Sequence, residues 1–370
     1  MIVYISLTAV VLFLSWFVNS NYQRQFNIKT SVLNGNVLPS NQGFVNTMLL
    51  FVIFFLLAFV SGVRVGTGND YWVYRTGFLQ INGGETPVSY ELGFEAVVLI
   101  MQKIFYRDCY KEIFALFAIL TAFFFVKGIY DTTDWFFLSA LLFMTNGFYF
   151  MSFSNVRYYF AFALAMCALR PLLNKNYPAF LAYIIIAAFF HKTVLLCIPV
   201  YLFAYFLKWT KKTIWLIPLG AAGLILGKSI IRWLIFRIYV YYEGDPLDSG
   251  EISYINILKC GAILIFCLIN YREAIAKDSK LEMLFNLNLF ALMLYAFASY
   301  IPELTRVCYY MVLGQIFLIP GVILKLKDKR KRIFWTILIS MAFLAYFAVF
   351  LKRGSNPGIN ILPYLSWLFG

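Results

Sequence analysis

Long apolar stretches, separated by short polar breaks, run through this chain from one end to the other. A helix needs about 20 apolar residues to cross the hydrocarbon core of a bilayer. The pattern predicts about 12 such helices, in a range of about 10–12, because the sixth and seventh stretches also fit one long helix broken near His191. The predicted spans are 2–18, 44–62, 112–127, 135–151, 156–173, 177–190, 193–207, 213–230, 253–270, 282–301, 304–324 and 333–351. We therefore expect an all-α polytopic integral membrane protein, with residues 1–370 forming a single transmembrane domain.

The overall composition excludes two other classes of protein. The chain has 62% hydrophobic and only 13% charged residues, yet its formal net charge is +14. A soluble nucleic-acid-binding protein can be equally basic, but an exposed surface this apolar would aggregate. An intrinsically disordered chain is ruled out because disorder requires a low apolar content. We therefore expect membrane lipids around this protein and no nucleic acid as a partner.

The residues that usually hold metal ions are scarce. The six cysteines show no C-x-x-C spacing, the only histidine is His191, and no D-x-D motif occurs. A zinc site needs several cysteine or histidine ligands, whereas isolated cysteines in apolar runs are most often small core residues. A carboxylate-only Mg²⁺ site is compatible with the composition, but no motif supports it. The sequence therefore predicts neither a metal site nor another cofactor.

The distribution of Lys and Arg among the loops predicts the orientation of the spans. The densest runs are KWTKK at 208–212 and KLKDKRKR at 325–332, and we place both in the cytoplasm. Alternation of the spans then places four more breaks inside, at 19–43, 128–134, 171–176 and 271–281. Both termini face outward in this arrangement. The first apolar stretch is interpreted as a retained span, because no basic segment precedes it.

The longest polar break, residues 63–111, lies on the predicted outer side. It opens with the glycine-broken aromatic segment RVGTGNDYWVY at 64–74. Thr86 followed by Pro87 is typical of a helix start. The stretch ELGFEAVVLIMQKIF at 91–105 has two glutamates one turn apart and an apolar opposite face, which predicts an amphipathic helix along the outer membrane surface. Residues 63–111 are therefore interpreted as an extracytoplasmic loop that contains an interfacial helix.

Several charged residues share one predicted depth, near the outer ends of the helices: Arg64, Asp70, Arg157, His191, Lys192, Lys259, Glu303 and Arg306. A charged residue near the bilayer centre costs at least about 2.5–3.5 kcal/mol, so such residues usually face a cavity or a partner. Their shared depth predicts a polar cavity that opens outward.

Most of these residues also have a simpler interpretation. Interfacial anchoring, with the charge in the headgroup region, accounts for Arg64, Arg157 and Lys192. Glu303 and Arg306 are three residues apart on a predicted helix and would then pair with each other. Glu91 and Glu95 would be first-turn charges that the helix dipole favours. Both kinds of interpretation stay open at this point.

Arginine is the most informative residue type in this group. Its planar guanidinium stays charged when partly desolvated and binds phosphate oxygens through two parallel hydrogen bonds. Arginines from distant spans that meet at the outer headgroup level would suit a lipid-linked diphosphate. Tyr71 and Tyr158 offer aromatic faces for sugar rings, although aromatic belts are also common at membrane interfaces.

Five short motifs follow one another along the chain: R-x-G-x-G-x-D-Y at 64–71, E-L-G-F-E at 91–95, R-Y-x-x-A-x-A at 157–163, F-H-K-T at 190–193 and N-x-L-P-Y at 360–364. Together with the late Arg306, their order and spacing make the sequence resemble the EpsG / Wzy type of bacterial polysaccharide polymerase. The resemblance spans almost the whole chain. One departure is Tyr158, since many relatives carry glutamine after the arginine.

The resemblance implies a metal-independent membrane glycosyltransferase in the bacterial cytoplasmic (inner) membrane, with its active site facing outward. Its activity would be the polymerisation of undecaprenyl-diphosphate-linked oligosaccharide repeat units into capsule, exopolysaccharide or O-antigen. The implied partners are a lipid-linked donor and a lipid-linked acceptor, with a chain-length regulator as a further candidate. A GT-C-like architecture is compatible with this assignment.

The same resemblance implies roles for individual residues. The implied substrate-binding residues, for diphosphate or sugar, are Arg64, Arg157, Arg306, Tyr71, Tyr158 and Lys192. The candidate catalytic residues are His191, Asp70 and Glu91. His191 is the first candidate for the general base, because the ordinary pKa of a histidine lies near neutrality. Arg64 would either bind diphosphate or hold Asp70.

Other functions fit part of the same pattern. A ligase that transfers polymer from the lipid carrier to another acceptor would bind the same donor diphosphate, so the sequence does not separate it from a polymerase. A flippase or transporter of lipid-linked oligosaccharide would expose its cationic cavity to both sides in turn, often through inverted repeats. The sequence has no internal repeat and no comparable charges in the inner halves of its spans, which favours an enzyme. A scaffold would leave the intramembrane charges unexplained.

Overall fold

A computed structural model describes residues 1–19, 41–83, 90–238 and 252–368 of the chain. These residues form α-helices with short 3₁₀ and π turns, and no β-strand occurs among them. The all-α prediction is therefore confirmed for the described ranges. The helix start predicted at Thr86 and Pro87 lies outside them.

The chain forms two compact units, residues 1–195 with 333–370 and residues 196–332. The helices of the first unit that precede residue 195 are α1 (Ile2–Trp16), α2 (Asn41–Gly62), α3 (Tyr71–Gly83), α4 (Leu92–Ile104), α5 (Tyr110–Thr132), α6 (Phe136–Thr145), α7 (Phe148–Met151), α8 (Val156–Leu173) and α9 (Tyr177–Ala188). The helices of the second unit are α10 (Cys197–Phe206), α11 (Leu216–Leu226), α12 (Lys228–Ile238), α13 (Tyr254–Ile269), α14 (Ser279–Phe297), α15 (Leu304–Val312) and α16 (Gln315–Lys325). α17 (Lys329–Lys352) begins at the boundary and returns the chain to the first unit. The single transmembrane domain stays a prediction.

Among the described residues, six helices are long and apolar enough to cross a membrane, or seven if one pair bent by 66° counts as a single span. The six are α2, α5, α8, α14, the segment Leu304–Lys325 and α17, and the bent pair is Thr213–Leu226 with Lys228–Arg237. The remaining predicted stretches contain shorter apolar helices of 10–17 residues. Every predicted stretch is thus helical, and the protein has the features of a polytopic membrane protein. The count of about 12 spans is not confirmed.

The sixth and seventh apolar stretches are separate helices rather than one long helix. α9 ends at Ala188, a 3₁₀ turn covers Lys192–Leu196, and α10 begins at Cys197. Pro199 lies in the first turn of α10, where its missing N–H removes no helical hydrogen bond. The chain therefore breaks at His191, which lies outside regular helix.

α8 forms the centre of the first unit, and almost every side chain on it is buried. It packs against α5 and α9, and α5 packs in turn against α2. Small residues permit these close approaches, since Ala161, Ala165 and Ala168 are fully buried. A Cβ at Gly128 of α5 would lie 3.0 Å from the Met166 side chain. Packing through small residues is typical of helices in membranes.

The loops of the first unit lie at two opposite ends of its helices, as the predicted alternation of the spans requires. Arg170 near the end of α8 pairs with Asp131 near the end of α5 at 3.1 Å. The Tyr130 hydroxyl accepts a hydrogen bond from Asn46 at the start of α2, at 3.2 Å. The opposite end holds the turn that follows α2 and the C-terminal segment 354–368. The described parts of the predicted cytoplasmic breaks therefore share one end of the unit, and the described outer segments share the other.

Two loops of the second unit that alternation predicts on the same side also lie at one end of the unit. α14 is its central helix and packs against α10, α13 and α15. Lys208 pairs with Glu282 at 2.6 Å, and Lys325 pairs with Asp278 at 3.3 Å. Both basic runs that the sequence places in the cytoplasm therefore meet the start of α14 at one end of this unit. The orientation of that end relative to the cell stays a prediction.

A helix occurs where the interfacial helix was predicted. Its buried face carries Phe94, Val98 and Gln102. Its exposed face is apolar, with Leu92, Leu99, Ile100 and Ile104. The Gln102 side chain donates a 2.8 Å hydrogen bond to the Phe78 carbonyl of α3, a helix that the sequence pattern did not predict. The location of α4 at a membrane surface stays a prediction.

Candidate functional site

The glycine-broken segment after α2 forms a tight turn that other segments hold in place. Gly68 has a φ of +105°, in the region that favours glycine, and a Cβ there would lie 2.1 Å from the Phe153 carbonyl oxygen. The Gly68 N–H donates to the Asn360 carbonyl at 2.8 Å, and the Val65 N–H donates to the Leu365 carbonyl at 2.9 Å. The N-x-L-P-Y segment near the C-terminus therefore packs directly on the R-x-G-x-G-x-D-Y turn.

The same turn positions the start of α8. The Asn69 N–H donates to Ser154 Oγ at 3.1 Å, and that hydroxyl donates onward to the C-terminal segment. The next residue, Asn155, caps α8, because its Oδ1 accepts the Tyr158 N–H at 3.0 Å. The first turn of α8, which carries Arg157, is thereby tied to two of the sequence motifs.

Arg64 is a buried cation within this turn, with only 2% of its surface exposed. Its guanidinium donates to the Ser61 carbonyl and, at 3.3 Å, to the Phe153 carbonyl. It lies between the rings of Phe114 and Phe153, at 5.2 and 5.1 Å from their centroids. Burial lowers the pKa of Arg64 to about 10, so the side chain stays charged at neutral pH. These contacts stabilise the turn, and substrate binding by Arg64 stays a prediction.

Arg157 and Glu91 form an ion pair that is sheltered from water. Arg157 Nη1 donates to Glu91 Oε2 at 2.5 Å, and the two side chains are 16% and 10% exposed. Arg157 Nε donates to the Tyr74 hydroxyl at 3.3 Å, and the guanidinium lies 4.6 Å from the centroid of the Tyr90 ring. Removing one partner of such a pair leaves an uncompensated charge, which is far more costly than losing an exposed pair.

Two neutral phenols orient the Arg157 guanidinium. Burial raises the pKa of Tyr74 and of Tyr90, while the nearby Arg157 acts in the opposite direction. Tyr74 therefore stays protonated, and its hydroxyl donates to Asn155 Oδ1 at 2.8 Å while it accepts from Arg157. The half-buried Asp70 carboxylate lies close enough to raise both pKa values further, so Asp70 belongs to the same region.

Glu91 also contacts the chain break that follows α9. Its Oε1 accepts the Lys192 N–H at 3.1 Å and lies 3.6 Å from His191 Nδ1. The His191 side chain is 14% exposed, and the Tyr158 ring packs edge-on against the imidazole at a centroid distance of 5.3 Å. One carboxylate therefore joins Arg157 on one side to His191 on the other. We call Arg157, Glu91 and His191 the central triplet.

The function of this arrangement can be inferred from the protein family that the chain matches. The EpsG family model matches residues 47–366, a range that contains the whole central triplet. This chain belongs to the EpsG family. EpsG is a family of Wzy-like polymerases, so the resemblance drawn from the motifs is confirmed and a polysaccharide polymerase-type role is supported. No curated protein and no solved structure matches the chain.

The other predicted site residues of this EpsG-family chain have different placements. Tyr71 is 1% exposed and stacks on Phe114 at 4.4 Å, and Tyr158 is fully buried beside His191. The Lys192 side chain is exposed, and only its backbone N–H contacts Glu91. Neither tyrosine offers an open face in this structure. Their assignment to sugar binding stays a prediction.

Arg306 lies in the second unit of the EpsG-family chain, at the start of α15. Its Nε pairs with Glu303 Oε2 at 3.0 Å, so the i,i+3 pairing that the sequence allows is present. The Arg306 side chain is 35% exposed, about twice the exposed fraction of Arg157. Its predicted contact with a diphosphate stays a prediction.

Residues that hold the central triplet were not predicted from the sequence. Tyr90 and Asn155 gave no signal as site residues, and Tyr74 lies in the aromatic segment 64–74 without being singled out. A helix-cap search would have found Asn155, since an asparagine directly before an apolar run is typical of a helix start. No local pattern distinguishes Tyr74 or Tyr90 from the other tyrosines of the outer loop. In the part of the EpsG-family chain that the structure describes, no three His, Cys, Asp or Glu side chains lie close enough to hold a metal ion.

Proposed function

We propose that this EpsG-family protein polymerises undecaprenyl-diphosphate-linked oligosaccharide repeat units into a surface polysaccharide. Family membership supports the type of reaction. The observation that carries the proposal is the central triplet, in which an arginine and a histidine from distant segments contact one carboxylate. The reaction needs a cation for the departing diphosphate and a base for a hydroxyl proton, and the triplet contains both.

In the proposed reaction, a hydroxyl oxygen of one lipid-linked repeat unit attacks the anomeric carbon of the growing lipid-linked chain. The new C–O bond forms while the bond from that carbon to the diphosphate oxygen breaks. Undecaprenyl diphosphate leaves with the bonding electron pair, and the hydroxyl proton passes to a base on the protein. A preorganised cation can stabilise the developing charge on this leaving group, so the proposal is a metal-independent glycosyltransferase.

Arg157 is the proposed contact for the leaving diphosphate. Its guanidinium is held by the Tyr74 hydroxyl and the Tyr90 ring, so its orientation costs little reorganisation when substrate binds. Arg306 in the second unit is the other candidate for a diphosphate contact. If variants Arg157→Ala and Arg306→Ala, at wild-type membrane levels, still make full-length polymer, these assignments are wrong.

His191 is the proposed general base. Its Nδ1 faces the Glu91 carboxylate, which favours the tautomer with the proton on Nδ1 and the lone pair on Nε2. Asp70 and Glu91 are the alternative bases. Both oxygens of Glu91 are already in contact with Arg157 and with the Lys192 N–H, which favours the imidazole over this carboxylate.

Purified protein in lipid vesicles, given a lipid-linked repeat unit, tests the proposal against its two alternatives. A ladder of chain lengths supports a polymerase. A single addition to a different acceptor indicates a ligase, and translocated lipid without product indicates a flippase. We expect the ladder, because the central triplet contains the groups for bond formation and because the sequence lacks the repeats typical of alternating access.

The finer topology belongs to the same proposal. We propose about 12 spans with a GT-C-like arrangement, the active site on the outer side of the bacterial cytoplasmic membrane, and a chain-length regulator as partner. Single cysteines at positions 208–212 and 325–332 should react only with reagents that enter the cytoplasm. Cysteines at positions 66–70 should react with reagents that do not cross the membrane. Labelling of both sets from one side would contradict the proposed orientation.

A further inference from the structure

The Glu91 carboxylate lies beside two other side chains, Arg157 and His191, at different distances. Oε2 is held by the Arg157 guanidinium at 2.5 Å, whereas Oε1 lies 3.6 Å from His191 Nδ1, beyond the length of a hydrogen bond. In the structure, the carboxylate is therefore hydrogen-bonded to Arg157 and only lies near His191. A carboxylate that orients a catalytic imidazole usually makes a direct hydrogen bond to it.

Substrate binding changes this balance if the proposed function is correct, and the inference rests on that function. A diphosphate carries more negative charge than a carboxylate and offers several oxygens to the guanidinium fork. It would compete with Glu91 for the same Nη atoms of Arg157. The Arg157 side chain itself can stay in place, because Tyr74 and Tyr90 hold it independently of Glu91.

We propose that Glu91 is a positioning residue that diphosphate binding shifts from Arg157 to His191. The displaced carboxylate turns about the 3.1 Å hydrogen bond from the Lys192 N–H and closes the remaining gap to Nδ1. His191 then receives a hydrogen-bond acceptor that holds its Nδ1 proton and makes Nε2 a better base. Glu91 acts through His191 and does not itself take the proton of the hydroxyl.

The shift links occupancy of the diphosphate site to activation of the base. While Glu91 holds Arg157, its carboxylate is not hydrogen-bonded to the imidazole, and transfer of the sugar to water is slow. With a diphosphate bound, His191 is oriented as a base when an acceptor hydroxyl can react. A single carboxylate shared by two groups is sufficient for this, and no movement of a helix is required.

The opposite effects of one substitution on binding and on turnover test the proposal. In Glu91→Gln the side chain keeps its size but no longer competes as an anion for Arg157. We expect full-length Glu91→Gln protein in vesicles to bind undecaprenyl diphosphate about tenfold more tightly than wild type, the equivalent of one weak charged hydrogen bond. Its kcat in the ladder assay should fall by on the order of 100-fold, since the base loses its orienting carboxylate.

Glu95 provides a matched control on the same helix. It lies one turn from Glu91, is partly exposed and contacts neither Arg157 nor His191 in any described interaction. Glu95→Gln removes the same charge from α4, and we expect binding and kcat to match wild type. A general loss of negative charge near Arg157 would instead tighten binding in both variants.

Three results would overturn the proposal. Glu91→Gln that binds undecaprenyl diphosphate more weakly and turns over more slowly would show a purely structural carboxylate. Unchanged turnover would show that His191 needs no help from Glu91, and equal effects of Glu95→Gln would show a bulk charge effect. Wild-type protein that binds undecaprenyl diphosphate but makes no ladder would refute the proposed function instead, and the binding measurements keep the two failures apart.

Discussion

The backbone N–H of Gly93 donates a 2.9 Å hydrogen bond to the carbonyl of Phe189, so the start of α4 is fastened to the chain break that carries His191. A Cβ at position 93 would lie 2.7 Å from the Phe189 Cβ and 2.8 Å from its carbonyl oxygen. Only glycine allows this approach. The contact explains why Glu91, two residues earlier, reaches across to His191.

Gly93→Ala should therefore separate the two segments. We expect a loss of stability of about 1–3 kcal/mol from the forced displacement. Polymer formation should fall at least about tenfold, because a shift of about 1 Å in a catalytic group is costly. Thermal unfolding in detergent and ladder assays at equal protein amounts measure the two effects. Gly261→Ala is the control, since a Cβ there would meet nothing within 4 Å. Equal behaviour of the two variants would contradict the proposed role of Gly93.

Arg157→Lys should abolish most activity although it keeps the charge. Lysine lacks the planar fork that contacts Glu91 and Tyr74 at the same time, and it would bind a diphosphate as a point charge only. We expect polymer yield to fall on the order of 100-fold. Arg75→Lys is the matched control, because its ion pair with Asp108 is 38% and 44% exposed and should contribute little. Full activity of the Arg157→Lys protein would argue against a bidentate contact.

His191→Gln should remove the part of the pH profile that reports the base. A base must be unprotonated to accept the hydroxyl proton, so wild-type kcat should rise with pH across the range in which an imidazole loses its proton. The variant should be slower and should lack this rise. Steady-state rates on purified lipid-linked repeat units between about pH 5 and pH 8 measure both effects. Lys192→Gln, at the exposed neighbouring side chain, should keep the wild-type profile. A profile unchanged in His191→Gln would assign the base to Asp70 or Glu91.

Gly68→Ala should release the start of α8. The added Cβ would lie 2.1 Å from the Phe153 carbonyl oxygen, which is a clash. The positive φ adds strain of about 1–2 kcal/mol. Gly358→Ala shares the strain, with a φ of +87°, but a Cβ there would meet nothing within 4 Å. The difference between the melting temperatures of the two variants therefore isolates the effect of the clash. We expect Gly68→Ala to unfold at a clearly lower temperature than Gly358→Ala, and equal melting temperatures would contradict the tight contact.

Local sequence signals were sufficient to predict the apolar helices, although not α3, and to predict which breaks lie at the same end. Apolar stretches such as those at 112–127 and 282–301 became helices because an apolar run in a membrane must satisfy its backbone hydrogen bonds internally. The Lys and Arg runs at 208–212 and 325–332 meet the same end of α14, as alternation required. Span lengths were less predictable, because hydropathy does not report where a proline or a break such as that at His191 ends a helix.

The contents of the site depended on packing between distant segments. Sequence analysis singled out Arg157, Glu91 and His191 as separate candidates. No local pattern indicates that the Glu91 carboxylate contacts Arg157, 66 positions away, and the Lys192 N–H, 101 positions away. Arg64 shows the same limit, since its motif did not indicate that its donors reach the carbonyls of Ser61 and Phe153. Substrate binding by Arg64 stays a prediction.

The amino-acid sequence by itself therefore determined a helical membrane protein of the EpsG family, because hydropathy, charge distribution and motif order are properties of the chain alone. The tertiary structure alone decided that Gly93 meets Phe189 and that Glu91 lies between a cation and an imidazole. Such contacts depend on which helices pack together and on how closely their backbones approach. The physical reason is that side-chain geometry at a site is a property of packed neighbours, which no single segment encodes.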